Sequence, residues 1–492
     1  MVQRAAHLAL IAVGIFTALN ILVLGTLYLL YPGYVDTGEP NIVALGWRLL
    51  DGHPVYLPID DAARITNLYG PYLYLIHAAV FSVLGASVAT GKAAGITALV
   101  FTIAVSGVAQ ASRSRAAAAF AIACTAAVVV VTLPASIWDR PETFLMLSVA
   151  LGVWINNARG RGTAWLRVAG FGVLIGVAMG LKVFAAIYFL PFGLLMLFRD
   201  GIKACIATVV VAFCVAALPF LTPAFELQYL LDLVGLMADK PNSMEGLIKV
   251  LRYAGFYVLP ALLFVGWAWR TMPGDERRDT AILMAGFVLA LAAVLYPAQK
   301  PGAGMHYLLP FAAVAFDLAA RGLHQLSAKA SATVTAVIVC VVLNVIALPA
   351  EKRFLRNLHW DEAAAVSAEI QRIAADNPGK SIEIGIGDSN ESYRRTYQRT
   401  RLVFDGHPYS LDTSILIDTT AWGIDITPAT LALIDNCTTD IWLIPAGELP
   451  FAWIGYYGKD VYGQPFRDSF NTAFGKTESR EYFDIYRCRK RS

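Results

Sequence analysis

Charged residues are scarce in this chain. Only 15% of its 492 residues are Asp, Glu, Lys or Arg, whereas a soluble globular protein carries about 25%. Hydrophobic residues make up 57% of the sequence, and the mean hydropathy is +0.57. The net charge of +3 is small and no basic stripe occurs, so nucleic-acid binding is not expected. The composition therefore predicts a polytopic membrane protein.

Several motifs of well-known enzyme classes are absent as well. The sequence has no P-loop, no Cys-x-x-Cys pair, no His-Glu-x-x-His and no Gly-x-Ser-x-Gly. No clear Ala-x-Ala cleavage site follows the first apolar run, and that run is longer than the core of a signal peptide, about 7–15 residues. We therefore predict a retained first helix with a cytoplasmic N-terminus.

Cysteine is rare, with six in the chain. Four lie in apolar runs and are interpreted as small hydrophobic residues. Cys437 and Cys488 lie in the polar C-terminal part. A disulfide between these two would indicate an oxidising compartment, and two cysteines alone leave that bond undecided.

Apolar runs along the first 350 residues are candidate membrane crossings, because backbone groups in lipid must be satisfied within a helix. From residue 110 onward, basic clusters fall on alternate loops, as expected for cytoplasmic loops. The runs cover residues 7–31, 72–88, 93–110, 117–134, 143–158, 165–180, 184–198, 203–221, 253–269, 280–296, 306–320 and 331–349. The clusters are Arg113/Arg115, Arg159/Arg161/Arg167, Arg199/Lys203, Arg270/Arg277/Arg278 and Arg321/Lys329.

The charge pattern conflicts with two crossings between residues 72 and 110. The acidic segment 32–71 should lie outside, and Arg113 with Arg115 should lie inside, so one net crossing separates them. We expect the short run 72–88 to lie in the interface or re-enter, while 93–110 crosses. This gives about eleven crossings. The alternative is twelve, with Arg113 and Arg115 breaking the positive-inside rule.

The composition changes abruptly after Pro349, and this change divides the chain. The sequence predicts a transmembrane α-helical domain over residues 1–350, in which 32–92 form an external loop with interfacial helices. A periplasmic or extracellular α/β domain is expected over residues 351–492. In it, residues 361–379 predict an amphipathic helix, and residues 381–387, 401–406, 440–447 and 481–488 predict strands. The loop Gly-Ile-Gly-Asp-Ser-Asn at 385–390 is interpreted as an ordinary turn.

Two acids, Asp36 and Glu39, stand just after the first crossing. A carboxylate held there can deprotonate an acceptor hydroxyl as a general base, or it can help to hold a divalent metal. The ordinary alternative is a pair of solvated loop acids.

Cations are expected at the same membrane face as these acids. Lys182 lies within an apolar stretch, where a charge is functional, paired or snorkelling to the interface. Arg140, Lys300 and His306 fall at the outer ends of other crossings. Several cations around one or two carboxylates suit a lipid-linked phosphate beside a base. For His306, a structural role beside the tyrosines of the membrane interface is an equally good alternative.

Aromatic residues crowd the first loop. Aromatic belts at the membrane interface explain most of these rings, and stacking on a sugar ring would explain one or two. The candidates for sugar stacking include Tyr34, Tyr56 and Tyr69.

The order of these motifs resembles a known superfamily. The chain is similar, over residues 7–350, to the GT-C integral-membrane glycosyltransferases, near the aminoarabinose transferases and protein mannosyltransferases. The resemblance rests on an acidic first loop, an Arg-Pro-Glu turn at 140–142, an embedded Leu-Lys-x-Phe at 181–184 and His-Tyr-Leu-Leu-Pro at 306–310. The first loop also carries residues of two further motifs on which the resemblance rests: Ala44, Leu49, Leu50, Gly52, Pro54 and Tyr56 in the first, and Tyr69, Gly70, Pro71 and Tyr74 in the second.

The resemblance implies an inverting hexosyl or pentosyl transferase that uses a polyprenyl-phosphate sugar on the outer face of the inner (plasma) membrane. The acceptor would be a lipid, glycan or protein hydroxyl, with no required cofactor and room for a divalent metal. Family members carry Asp-Glu early in the first loop, which aligns here on Gly38-Glu39. Either Asp36 or Glu39 is then the base. Implied phosphate ligands are Arg140, Lys182, Lys300 and His306, and implied substrate contacts are Tyr34, Tyr56, Tyr69, Glu142 and Tyr307.

A second function fits the same composition, namely a transporter or flippase of lipid-linked sugars. That function predicts internal repeats and helices broken near the midplane. No convincing repeat relates the two halves of this sequence.

Overall fold

The structure is a computed structural model that describes residues 1–158 and 163–490. Arg159 and Arg161 of the second predicted basic cluster lie outside the described residues. Helices make up most of the fold. In chain order they are α1 (Val2–Leu30), α2 (Gly38–Leu50), α3 (Pro71–Leu84), α4 (Val88–Ala111), α5 (Arg115–Val131), α6 (Pro141–Asn157), α7 (Thr163–Met179), α8 (Leu190–Asp200), α9 (Ile202–Ala217), α10 (Leu227–Ala238), α11 (Met244–Ala268), α12 (Gly274–Ala298), α13 (Ala312–Gln325), α14 (Ala330–Asn357), α15 (Trp360–Asp376), α16 (Asn390–Arg395), α17 (Arg399–Phe404), α18 (Thr413–Ala421), α19 (Pro428–Asp435) and α20 (Gly463–Ala473).

Short 3₁₀ helices occur at Ala185–Phe189, Leu218–Leu221, Met305–Phe311 and Thr396–Gln398. The chain forms two compact units. The membrane unit contains Met1–Leu29, Ala93–Pro219 and Pro241–Asn357. The C-terminal unit contains Leu30–Lys92, Phe220–Lys240 and Leu358–Ser492, so the first loop belongs to the same unit as the polar C-terminal residues.

The apolar helices have the length that a membrane requires. Within the described residues, six are long and apolar enough to cross, among them α1, α4 and α12. The chain is a multi-pass membrane protein with a small C-terminal α/β domain, as the sequence predicted. Helix α3 has 14 residues and spans only about 21 Å, so its length agrees with the expected interfacial or re-entrant segment. The count of eleven crossings stays a prediction.

Glycines allow close packing between helices of the membrane unit. A Cβ on Gly322 of α13 would meet the carbonyl oxygen of Phe264 on α11 at 2.3 Å. A Cβ on Gly176 of α7 would meet the carbonyl oxygen of Ala212 on α9 at 2.6 Å. Small residues at such crossings let helix backbones approach in the absence of a hydrophobic driving force.

The C-terminal unit contains a four-stranded sheet with strand order β1-β2-β4-β3. The strands are β1 (Ile382–Ile384), β2 (Ile441–Pro445), β3 (Phe474–Ser479) and β4 (Phe483–Cys488). Strand β1 is parallel to β2, and β4 pairs antiparallel with both β2 and β3. In register, Trp442 faces Tyr486 across β2 and β4.

One predicted strand in this domain is wrong and another was missed. Residues 401–406 belong mainly to α17 (Arg399–Phe404), where Leu402 and Val403 are buried. The apolar run Leu-Val-Phe within this six-residue segment is too short to distinguish a strand from a short buried helix by periodicity. Strand β3 has the exposed, polar sequence Lys-Thr-Glu-Ser after its first two residues, which gave no strand signal.

Cys437 and Cys488 form a disulfide, with a Cα–Cα distance of 5.8 Å. The sequence had left this bond undecided. It joins the loop after α19 to the end of β4, and both cysteines are buried in the cluster that contains Trp442, Phe451 and Phe470.

Candidate functional site

The membrane unit contains a buried ion pair between two residues that the sequence had singled out. Lys182 Nζ donates to Glu142 Oε1 at 2.7 Å, and their side chains are 4% and 1% exposed. Glu142 lies in the first turn of α6, which begins with Pro141, a residue favoured at that position. Lys182 lies in the turn between α7 and the 3₁₀ helix Ala185–Phe189. The lysine is therefore held by a carboxylate and does not snorkel.

An aromatic and cationic group surrounds this pair. The ring of Trp138 contacts His306 edge-on at 5.4 Å between centroids, and the Arg140 guanidinium lies 4.3 Å from the Trp138 ring centroid. Lys182 Nζ lies 3.7 Å from the ring centroid of Tyr307. We call Trp138, Arg140, Glu142, Lys182, His306 and Tyr307 the cationic cluster.

Local backbone structure places these residues. His306 and Tyr307 belong to the 3₁₀ helix Met305–Phe311, which follows a loop with Gly302 at φ +82°. Such a left-handed conformation favours glycine. Tyr307 is fixed from both sides, because its ring stacks on Phe184 at 5.3 Å and its carbonyl accepts from the Tyr188 hydroxyl at 2.8 Å.

Three buried polar atoms in the cluster have no hydrogen-bond partner among the described residues: Trp138 Nε1, Glu142 Oε2 and His306 Nε2. A buried polar atom without a partner costs about 1–3 kcal/mol, and buried polar groups are normally hydrogen-bonded. These three atoms offer donors and an acceptor to a polar ligand.

Asp139 ties this cluster to α4. Its Oδ1 accepts from the backbone N–H of Gly95 at 3.1 Å, and the side chain is buried. A Cβ on Gly95 would approach that oxygen to 2.6 Å, so the contact requires glycine. Lys300, by contrast, lies over Tyr296 at 5.1 Å, a ring outside the cluster.

The two acids of the first loop belong to the C-terminal unit and differ in surroundings. Glu39 is fully buried in the first turn of α2, and its Oε2 accepts from the N–H groups of Val35 and Asp36 at 3.2 and 3.0 Å. Asp36 is only partly buried, and its Oδ2 accepts from Gly38 N–H at 2.8 Å. Glu39 thus shapes the loop that presents Asp36.

Lys92 anchors the start of that loop. Its Nζ donates to the carbonyl oxygen of Tyr31 at 2.6 Å and lies 5.4 Å from the ring centroid of Tyr34. Tyr34, Tyr56 and Tyr69, which the sequence offered for sugar stacking, are all buried. The Tyr56 hydroxyl donates to the Tyr69 carbonyl at 2.7 Å, which supports a packing role.

No metal site is evident in the part of the chain that the structure describes, since no three His, Cys, Asp or Glu side chains there converge on a common point.

The fold, compared with solved structures, is similar to ArnT from Cupriavidus metallidurans. One crystal structure of ArnT bound to undecaprenyl phosphate gives a TM-score of 0.57, and one in the apo state gives 0.58. Both are 12% identical to this chain, and the match covers 96% of it and 97% of ArnT. The chain has the GT-C fold. No protein-family model and no curated protein matches the sequence.

Sequence analysis identified both residues of the ion pair, Glu142 and Lys182, but not all of the residues that contact them. Trp138 and Asp139 directly precede the Arg-Pro-Glu turn at 140–142, yet only Arg140 and Glu142 were assigned a role. Lys92 directly precedes the predicted crossing 93–110. A lysine at the end of a membrane helix is normally interpreted as snorkelling to the interface.

Proposed function

We propose that this protein is a glycosyltransferase that moves a sugar from a polyprenyl-phosphate donor to an acceptor hydroxyl. The observation that carries the proposal is the cationic cluster, built from buried charges and unpartnered polar atoms in a membrane unit with the GT-C fold. The solved relative holds undecaprenyl phosphate, which supports a lipid-phosphate ligand of the same class here. The likeness does not favour the transporter alternative.

Lys182, Arg140 and His306 are the proposed phosphate ligands. A phosphate needs charge-assisted donors in a site with little water. Trp138 Nε1 is a buried donor and His306 Nε2 a buried donor or acceptor, and neither has another partner among the described residues. When the sugar leaves, the phosphate gains negative charge. The ammonium of Lys182 would stabilise that charge more in the transition state than in the donor.

Asp36 is the proposed base, and Glu39 the residue that positions it. The Glu39 carboxylate is committed to two backbone N–H groups of the loop, whereas Asp36 is partly exposed. The Asp36 carboxylate takes the proton of the acceptor hydroxyl as the acceptor oxygen bonds to the anomeric carbon. The bond from that carbon to the phosphate oxygen breaks, and its electron pair stays on the phosphate. Attack opposite the leaving group inverts the anomeric carbon.

The site is proposed to face the outer side of the inner (plasma) membrane, with the N-terminus in the cytoplasm. The Cys437–Cys488 disulfide supports this orientation, since disulfides persist in oxidising compartments. Labelling an engineered surface cysteine in intact cells with a membrane-impermeant reagent would test it.

Sugar transfer in proteoliposomes tests the function. Purified wild type, Asp36→Asn and Glu39→Gln are compared with a panel of polyprenyl-phosphate sugars. We expect transfer by the wild type and a loss of about 10²–10⁴-fold in Asp36→Asn. Glu39→Gln keeps a carbonyl oxygen that can accept both backbone N–H groups, so we expect a smaller loss.

Two results would count against these assignments. Normal transfer by Asp36→Asn would remove its role as the base. A complete loss in Glu39→Gln with normal Asp36→Asn would exchange the two roles. Circular dichroism of each variant serves as the folding control.

A further inference from the structure

Three tyrosines of the C-terminal unit gather beside the acidic loop. The Thr37 hydroxyl is hydrogen-bonded to the hydroxyl of Tyr393, a buried residue of α16. The Tyr393 ring lies 5.6 Å from that of Tyr397 and 5.5 Å from that of Tyr456, between centroids. The residue that follows Asp36 is thus attached directly to this aromatic group.

Tyr456 is the exposed member of the group. The residue is 61% exposed, and the hydroxyl end of its ring lies near those of Tyr393 and Tyr397. Desolvation of that hydroxyl and the nearby Asp36 carboxylate raise the pKa of Tyr456 to about 12. Desolvation, the neighbouring Tyr456 and the Asp36 charge likewise raise the pKa of Tyr397. Both hydroxyls therefore remain protonated near neutral pH, where they donate and accept hydrogen bonds beside the acid.

The loop that carries Tyr456 is fixed at several points. Trp453 stacks on Tyr393 at 4.5 Å, and its Nε1 donates to Asn390 Oδ1 at 2.9 Å. At the start of the loop, the Glu448 carboxylate accepts from the backbone N–H of Asp388 at 2.9 Å. The loop that carries Tyr456 is thus held by side-chain contacts within the C-terminal unit.

The turn at residues 385–390 contributes to this support. Glu448 also accepts from the N–H and hydroxyl of Ser389, at 3.1 and 2.9 Å. A Cβ on Gly387 would lie 2.1 Å from Glu448 Oε2. The Glu448 carboxylate occupies the position at which a nucleotide-binding loop would bind an external anion. Through Glu448, the turn at residues 385–390 holds the loop that carries Tyr456.

This surface has the chemistry that recognises a carbohydrate. The C–H face of a sugar ring packs on an aromatic face, while its hydroxyls need hydrogen-bonding groups at the ring edge. Tyr456 offers the exposed ring. Tyr397, Thr37 and Asp36 offer polar groups near its edge.

We propose that Tyr456 is the platform for a carbohydrate ring of the acceptor, placed so that Asp36 reaches one of its hydroxyls. The inference rests on the proposed glycosyltransferase activity and names its acceptor class as a glycan or glycoside. A serine or threonine hydroxyl of a peptide is the competing acceptor, and it becomes an outcome of the test.

Sugar binding is measured first, because it does not depend on turnover. The full-length protein in nanodiscs is titrated with methyl β-D-glucopyranoside, methyl β-D-galactopyranoside, methyl α-D-mannopyranoside and methyl N-acetyl-β-D-glucosaminide, followed by saturation-transfer NMR. We expect at least one glycoside to bind the wild type. Tyr456→Ala should weaken that binding about tenfold, the loss of roughly one aromatic contact. Tyr456→Phe should retain most of it.

Leu449→Ala is the matched control, since Leu449 is an exposed side chain of the same loop at 66%. We expect it to bind glycosides as the wild type does. Equal binding by wild type and Tyr456→Ala, or no binding of any glycoside, would overturn the inference.

Transfer separates this inference from the proposed function. With an active donor, we expect the glycoside that binds to accept the sugar, and Tyr456→Ala to raise its KM about tenfold with little change in kcat. Transfer to N-acetyl-seryl amide and to no glycoside would overturn the acceptor assignment while leaving the enzyme class intact. Tyr456-dependent glycoside binding without transfer from any donor would support the platform and count against the enzyme.

Discussion

The Glu142–Lys182 pair offers the sharpest perturbation of the membrane unit. At 2.7 Å, the attraction between the two charges is about 6 kcal/mol for an effective dielectric constant of 20. Both side chains are almost fully buried, so desolvation offsets part of that energy. Removing one partner strands the other charge and destabilises a protein by about 3–5 kcal/mol. We expect this loss in Lys182→Met.

The double variant Lys182→Met/Glu142→Gln separates stability from chemistry. It leaves no unpaired charge, so it should recover most of the stability that Lys182→Met loses. If Lys182 stabilises the leaving phosphate, the double variant folds but stays about 10²–10³-fold less active than the wild type, the usual cost of losing one such donor.

Thiol labelling provides the stability assay, because membrane proteins often unfold irreversibly. Cys124 is fully buried, so its labelling rate reports unfolding. A Cys205→Ser/Cys214→Ser background removes the two free thiols that are not buried. Lys300→Met is the control, since Lys300 lies outside the ion pair. Unchanged labelling in Lys182→Met would refute the buried-pair reasoning, and full activity of the double variant would refute the role of Lys182.

Three further predictions concern other parts of the chain. Replacing Cys437 and Cys488 by alanine opens a loop with a sequence separation of 51 and should cost about 4 kcal/mol of domain stability, measured by chemical denaturation. Burial alone would raise the pKa of Asp484, but hydrogen bonds from Lys476, Gly447 and Ser479, together with the Lys476 charge, outweigh burial and lower that pKa. The stabilisation from Asp484 is therefore present above the ordinary pKa of 3.8 and lost as the pH falls through the lowered pKa. Asp484→Asn should flatten this acid limb when thermal stability is measured as a function of pH. Gly95→Ala puts a methyl group 2.6 Å from a carboxylate oxygen in the turn before α6, so transfer activity should fall by more than in Gly193→Ala, whose added Cβ meets nothing within 4 Å.

The membrane part of the fold was predictable because one physical rule dominates it. Lipid leaves no partner for backbone groups, so long apolar runs must be helices, and hydropathy finds them. Glu142 was noted in the Arg-Pro-Glu turn at the outer end of a crossing. Lys182 was found for a reason related to hydropathy. A charge within an apolar stretch is costly, so its presence is conspicuous even without knowledge of its partner. That these two residues pair with each other followed only from the structure.

The C-terminal unit was less predictable because its elements are short. Residues 401–406 formed a helix against expectation, and β3 lacked an apolar pattern. Tyr393 and Tyr456 are separated by sixty-three positions in sequence (456 minus 393), and either is an ordinary tyrosine when considered alone. Their contact with the loop of Asp36 depends on packing between distant segments.

The sequence by itself determined that the chain is a membrane protein, that acids follow its first helix and that cations occur at the ends of later ones, since hydropathy and charge are properties of local segments. Only the tertiary structure decided which charges pair, that Glu39 holds backbone N–H groups while Asp36 is partly exposed, and which aromatic ring remains exposed near that acid. These features depend on distances between residues far apart in the chain, and no local pattern of residues specifies such distances.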